Sequence, residues 1–214
     1  MRATLVTAGV LGALACAVAG IIWVPCLEIG KMTQVEDADL PGVMHPGPLN
    51  GLANLGREVY VANGCVHCHS QQVGEPGAVP DVARNWGPRR TVPRDYLDTR
   101  PGLIGFSRLG PDLTNVGTNT AYNEAFHLLH LYNPRLARTD ATGQRRRVAD
   151  ESICQPNPHL FVRQTVGGSR SPVAIAVPGL RPDEQIVPTE QARALAAYLM
   201  ALNRTYPLPE APVT

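Results

Sequence analysis

The strongest pattern in the sequence is an apolar run without a charged residue over residues 3–24. At 1.5 Å per residue, a helix of this length measures about 33 Å, close to the roughly 30 Å hydrocarbon core of a bilayer. A cleaved signal peptide has a shorter apolar core followed by polar sequence, whereas this run continues to Trp23. The pattern therefore predicts a retained transmembrane anchor over residues 1–27.

The charges beside this run predict its orientation. Arg2 precedes the run, and the first charge after it is Glu28. Positive residues tend to stay on the cytoplasmic side, so the N-terminus is expected in the cytoplasm and the rest of the chain in the periplasm of a bacterial inner membrane. Cleavage before Cys16, as in a lipoprotein, is a weaker alternative because it would leave an apolar new N-terminus.

Helical periodicity returns in three short segments, residues 52–63, 121–132 and 189–203. The last is the clearest, with one apolar face and Thr189 placed as an N-terminal cap. The 20 glycines and 20 prolines predict long irregular loops between the helices. The sequence thus predicts a mainly α domain over residues 51–206, with a periplasmic tether at 28–50 before it and a tail at 207–214 after it.

Composition and charge exclude few classes of function. A net charge of +1 offers no electrostatic argument for nucleic-acid binding. The basic runs at residues 87–90 and 144–147 each lie close to acidic residues, which is typical of solvated loops. Aromatic residues make up only 5% of the chain, so something other than aromatic packing is expected to fill the centre of the domain.

The candidate chemistry lies in the C-x-x-C-H motif formed by Cys65, Cys68 and His69. Two thiols at this spacing can add to the vinyl groups of a haem while the histidine binds its iron. A redox-active dithiol is disfavoured by the adjacent histidine and by the absence of a βαβ pattern. His67 lies between the thiols and is expected to point away from iron. The carbonyl of Pro111, in "LGPDLTNVG", is a candidate partner for the second ring nitrogen of His69.

Four stretches, "GREVYVANGCVHCHSQQV", "RLGPDLTNVG", "HLYNPR" and "EQARALAAYLMALNRTYPLPEAP", resemble the membrane-anchored monohaem cytochrome c subunit of cbb3-type cytochrome c oxidases. The resemblance implies a class I cytochrome c fold with one covalently bound haem c. It implies Cys65 and Cys68 as attachment sites, His69 as proximal ligand and Pro111 as its hydrogen-bond acceptor. It also implies a single-electron carrier, not catalytic alone, whose partners are the haem-copper catalytic subunit and other cytochrome c subunits.

The sequence departs from this family at the sixth iron ligand. The family supplies a methionine after "NPR" in an "S-x-M-P" context, whereas this chain has "ESICQPNPHLF" and places Cys154 at that position. A thiolate stabilises ferric iron, so Cys154 predicts a lower reduction potential than a methionine would give. The other candidates for this position are His159, Met200, which is better placed to fill the core, and the pair His127 and His130, which is more typical of structural histidines.

Two other functions are compatible with the motif. A cysteine-ligated haem also suits an enzyme of sulfur-compound oxidation, and the run Arg145, Arg146 and Arg147 near Cys154 could attract an anion such as thiosulfate. A structural or redox-sensing subunit would favour a labile Cys154 and an open site. The sequence contains no output domain for a sensor, so the electron carrier is the leading prediction.

Overall fold

The structure is a computed structural model, and it describes residues 2–99, 101–136 and 152–213. Its N-terminal part is one continuous helix made of α1 (Arg2–Val18), a π-helical turn (Ala19–Trp23) and α2 (Val24–Gly30). The wider turn ends two residues before Pro25, which cannot donate a backbone hydrogen bond. The helix of 29 residues is long and apolar enough to cross a membrane, which confirms the predicted apolar helix.

Three further helices form the centre of the domain, as the periodicity predicts. They are α3 (Gly51–Ala62), α4 (Glu124–Tyr132) and α5 (Glu190–Ala201). Thr189 caps α5, since its hydroxyl accepts from the backbone N–H of Ala192 at 3.3 Å. Helix α4 begins three residues later than predicted because the side chain of Asn123 caps it, accepting from the N–H of Phe126 at 3.0 Å.

The helices α3 and α5 cross in close contact. A Cβ atom at Gly56 would lie 1.9 Å from the backbone oxygen of Ala194 and 2.7 Å from the Cβ of Tyr198, so only glycine permits this approach. One helical turn further along α3, the ring of Tyr60 packs against Tyr198 with centroids 5.5 Å apart. Both tyrosines are almost fully buried. The crossing positions the end of α3, where the cysteine motif begins.

Two short antiparallel hairpins, which the periodicity does not predict, complete the described fold. Strand β1 (Val35–Glu36) pairs with β2 (Met44–His45), and β3 (Phe161–Thr165) pairs with β4 (Glu184–Pro188). Strand β3 is exposed at four of its five positions, so it lacks the alternation by which a half-buried strand is recognised. The mainly α description therefore holds for the centre of the domain but omits these hairpins.

The predicted tether and tail both pack on the domain. Leu208 and Ala211 of the tail are buried with Tyr206 in a small cluster, against which Val35 of the tether packs. The ring of His45 stacks on Tyr206 at a centroid distance of 4.1 Å. Residues of the tether and of the tail therefore share contacts in one cluster beside the domain. The sequence did not reveal this cluster, because its apolar residues are scattered through polar, proline-rich segments and show no periodicity.

The basic run at residues 87–90 is not simply a solvated loop, contrary to the prediction. Arg89 is 3% exposed, and its guanidinium donates to both carboxylate oxygens of Asp95 at 2.8 and 2.9 Å. Its Nε also donates to the backbone oxygen of Tyr206 at 2.8 Å. A buried cation of this kind requires such a paired carboxylate. The second basic run, at residues 144–147, lies outside the described residues.

Candidate functional site

The cysteine motif follows directly from the end of α3. Gly64 adopts a left-handed conformation with φ +69°, which turns the chain into a single 3-10 turn at Cys65–His67. The backbone N–H groups of Cys68 and His69 then donate to the oxygen of Cys65 at 3.1 and 3.0 Å. Both cysteines are free thiols, with Cys65 half-buried and Cys68 exposed. The motif is thus held as a compact turn with two reduced sulfur atoms.

The imidazole of His69 is fixed by the segment that contains Pro111. Its Nδ1 lies 2.8 Å from the backbone oxygen of Pro111. Because a carbonyl oxygen can only accept, Nδ1 carries the proton and Nε2 keeps a free lone pair. A Cβ at Gly110 would lie 2.3 Å from Cε1 of His69, so the absence of a side chain lets this segment lie against the ring. Burial lowers the pKa of His69, which favours the neutral, metal-binding form.

Asp112 connects the cysteine motif to the Pro111 segment. Its Oδ2 accepts from the hydroxyl of Ser70 at 2.5 Å and from the N–H of Gln72 at 2.8 Å. Its Oδ1 accepts from the N–H of Thr114 at 2.8 Å. The carboxylate is only 6% exposed. Sequence reasoning missed this residue because an aspartate beside proline in a polar stretch is typical of an exposed turn.

Gln71 connects the motif to α5 and was also missed. Its side chain is completely buried, and its Oε1 accepts from the hydroxyl of Tyr198 at 2.9 Å. Its backbone oxygen accepts from the hydroxyl of Tyr96 at 2.6 Å. The only available signal was its position two residues after His69. These bonds hold the residues beyond the histidine against the helix crossing.

Cys154 lies near the two cysteines of the motif. Burial raises the pKa of the Cys65 thiol to about 11, and the charge of the Cys154 thiol contributes to this rise. Burial likewise raises the pKa of Cys154, with a further contribution from Cys68. The three thiols are therefore close enough for their charges to interact. The segment around Cys154 is attached to the end of α4, because the N–H of Asn157 donates to the oxygen of Leu131 at 2.9 Å.

The alternative candidates for the sixth iron ligand, His159 and Met200, have different surroundings. The Nε2 of His159 lies 2.7 Å from Oδ1 of Asn63. The amide nitrogen of Asn63 donates to the oxygen of Val59 at 2.8 Å, so Oδ1 is the acceptor and Nε2 of His159 is a protonated donor. Met200 is 43% exposed on α5, so the expectation that it fills the core is wrong.

The histidines of α4 and the arginine run complete the set of candidates. His127 is 4% exposed, and burial lowers its pKa to about 4. His130 stacks on Phe126 with ring centroids 5.8 Å apart. Both histidines are therefore packed within the protein, which is typical of structural histidines. Arg145, Arg146 and Arg147, considered above as an anion site, lie outside the described residues.

The donor set and its surroundings fit a haem. Two free thiols and an imidazole with one free nitrogen occur within five residues, and the imidazole is oriented by the hydrogen bond from its other nitrogen to Pro111. Val66 within the motif and Leu113 in the segment after Pro111 are among the partly buried apolar side chains that pack on the domain core. Such partly exposed apolar side chains are what a surface for a flat apolar group requires.

Fold and site together define a helical domain with a candidate haem-attachment motif, behind an N-terminal helix able to cross a membrane. The family described as cytochrome C oxidase, mono-heme subunit/FixO matches residues 3–144, about two thirds of the sequence, and the chain belongs to this family. Membership implies one haem and a part in electron transfer within an oxidase complex. No curated protein matches the chain. Cys154 and α5 lie beyond the matched residues.

Proposed function

We propose that the protein is a membrane-anchored c-type cytochrome with a class I cytochrome c fold, which passes single electrons within a cbb3-type haem-copper oxidase complex. The observation that carries this proposal is the arrangement of His69, whose Nδ1 is bonded to Pro111 while Nε2 stays free beside two reduced thiols. A bound haem supplies a one-electron couple at its iron. The chain's own residues hold that group, orient it and set its potential.

Cys65 and Cys68 would attach the haem covalently. Each thiol would add across one vinyl double bond, with its sulfur bonded to one carbon and its proton transferred to the other, so the attachment would need no leaving group and no oxidant. This addition requires reduced thiols, and both cysteines are free. The compact turn between them supports the attachment, since it keeps the two sulfur atoms on one short segment.

His69 would be the proximal ligand and Cys154 the sixth ligand. For His69, the bond to Pro111 fixes the tautomer and leaves Nε2 as the donor. For Cys154, support comes from the small mutual effect of its charge and those of Cys65 and Cys68 on their pKa values, and from the hydrogen bond of His159 to Asn63. Cys154 would bind as a thiolate, because metal coordination deprotonates a thiol, and a thiolate lowers the potential of the couple.

The helix formed by α1, the π-helical turn and α2 would anchor the domain at the periplasmic face of the inner membrane, with Arg2 on the cytoplasmic side. In this position the domain can contact a haem-copper catalytic subunit and other cytochrome c subunits of the complex. Electrons would then pass through the haem held by His69, while oxygen reduction takes place in the catalytic subunit.

The proposal can be tested on the complex purified from membranes. We expect the chain to co-purify with a haem-copper subunit, and its haem to be oxidised after mixing with oxygen at least as fast as the complex turns over. The double variant Cys65→Ala, Cys68→Ala should lose this phase and most oxidase activity with a cytochrome donor. Cys26→Ser removes an exposed thiol outside the motif and is the matched control. Full oxidase activity in the double variant would overturn the proposed function.

A further inference from the structure

The carboxylate of Asp112 is buried, makes three hydrogen bonds and has no close cationic partner among the described residues. It is 6% exposed, whereas the three other buried carboxylates of the described residues, Asp81, Asp95 and Glu184, are each paired with an arginine within 3 Å. Both oxygens of Asp112 accept from backbone N–H groups, those of Gln72 and Thr114. The site therefore contains a buried carboxylate that no cationic side chain of the described residues pairs directly.

This carboxylate is attached to both segments that hold His69. Through Ser70 and Gln72 it is bonded to the residues directly after the histidine. Asp112 also directly follows Pro111, so its own nitrogen completes the peptide group whose oxygen accepts from His69. The bond from Thr114 to Oδ1 fixes the backbone orientation at this point, as in an Asx turn. A displacement of Asp112 would thus move the acceptor of the imidazole proton.

The carboxylate of Asp112 also lies close to the imidazole, because Asp112 directly follows Pro111, whose oxygen accepts from Nδ1 of His69 at 2.8 Å. A negative charge near a metal ligand favours the more positive oxidation state of the metal. In a protein interior such a charge is only weakly screened, and it acts over several ångströms.

We propose that Asp112 is a positioning residue for His69 and that its buried charge lowers the reduction potential of the haem. This inference rests on the proposed function, because it requires a haem on His69. It assigns two separable effects to one side chain: hydrogen bonds that fix the Pro111 oxygen, and a charge that stabilises the oxidised state.

Two variants compare loss of the charge with loss of one hydrogen bond alone. Asp112→Asn keeps the size of the side chain but removes the charge together with one of the two acceptor oxygens, whereas Ser70→Ala removes the 2.5 Å contact and keeps the charge. We expect Asp112→Asn to raise the midpoint potential of the full-length protein in detergent. At a fixed ambient potential, the ratio of reduced to oxidised haem should increase on the order of tenfold. Ser70→Ala should change this ratio far less.

The possible outcomes distinguish this inference from the proposed function. If the wild-type chain contains no covalent haem, the proposed function fails. If covalent haem is present but Asp112→Asn shifts the potential no more than Ser70→Ala does, the charge has no such role and the inference is overturned. If Asp112→Asn does not retain haem, the test is made on Asp112→Glu, which keeps the charge. If Asp112→Glu retains haem with a midpoint potential near that of the wild type, the inference is supported. If Asp112→Glu also loses haem, Asp112 is only a structural residue and the inference is overturned.

Discussion

Replacement of Gly56 by alanine tests the crossing of α3 and α5, on which the position of the cysteine motif depends. The added Cβ would lie 1.9 Å from the backbone oxygen of Ala194 and 2.7 Å from the Cβ of Tyr198. Real Cβ atoms essentially never approach other atoms within 3.0 Å, so the two helices must separate by about 1 Å. The obstructing atoms belong to the backbone and to a Cβ, which cannot rotate away.

The expected cost follows from two opposing effects. Overpacking of a tight interior costs about 1–3 kcal/mol, and here the rigid contact favours the upper part of that range. Alanine is the better helix former and returns at most about 1 kcal/mol. We therefore expect a net loss of about 1–2 kcal/mol, which lowers the melting temperature of a domain of this size by roughly 2–8 °C.

The matched control is Gly51→Ala, at the first residue of the same helix, where an added Cβ meets nothing within 4 Å. This variant should be as stable as the wild type or slightly more stable. Both variants and the wild type are compared by thermal unfolding of the full-length protein in detergent, followed by far-UV circular dichroism. If Gly56→Ala melts at or above the wild-type temperature, or if both variants lose stability equally, the close crossing described here is wrong.

Three further predictions concern other parts of the domain. Cys154→Met should raise the midpoint potential of the haem, since a thioether lacks the negative charge of a thiolate, and an unchanged potential in a redox titration would exclude Cys154 as ligand. Burial lowers the pKa of His127 from 6.5 to about 4, so unfolding below pH 6.5 takes up a proton. As the pH is lowered from about 6.5 to about 4, the free energy of unfolding should decrease by up to about 1.4 kcal/mol per pH unit. The variant His127→Leu should show a correspondingly shallower decrease in denaturant titrations. Asp95→Asn leaves Arg89 buried without its counter-ion and should cost about 3–5 kcal/mol, whereas Glu75→Gln, in an exposed pair, should cost less than about 1 kcal/mol; equal losses in chemical denaturation would argue against a buried pair.

The helices could be predicted from the sequence because their signals are local. In α5 the cap and the apolar face occur within one short segment, so Thr189 could be recognised without knowledge of the fold. The hairpin of β3 and β4 could not, because its stability depends on a partner strand about 20 residues away and on the ion pair between Arg163 and Glu184. Only the fold brings these segments together.

The residues of the candidate site likewise divide into those that a local sequence pattern identifies and those that it does not. Cys65, Cys68 and His69 are close in sequence, and their spacing alone indicates the chemistry. Asp112 and Gln71 gave no such signal, since a polar residue in a loop is usually solvated. Their burial follows from the packing of the Pro111 segment and of α5 against the motif.

The central claim is that Cys65 and Cys68 hold one covalently bound haem, and mass spectrometry of the denatured full-length chain tests it most directly. For chain produced in an exporting bacterial host with haem-attachment machinery, we expect the mass of the polypeptide plus one haem, without loss of mass from a leaving group. The double variant Cys65→Ala, Cys68→Ala should have the mass of the polypeptide alone, while Cys26→Ser should retain the haem. A wild-type chain that releases all haem on denaturation, or a double variant that retains it covalently, would contradict the account.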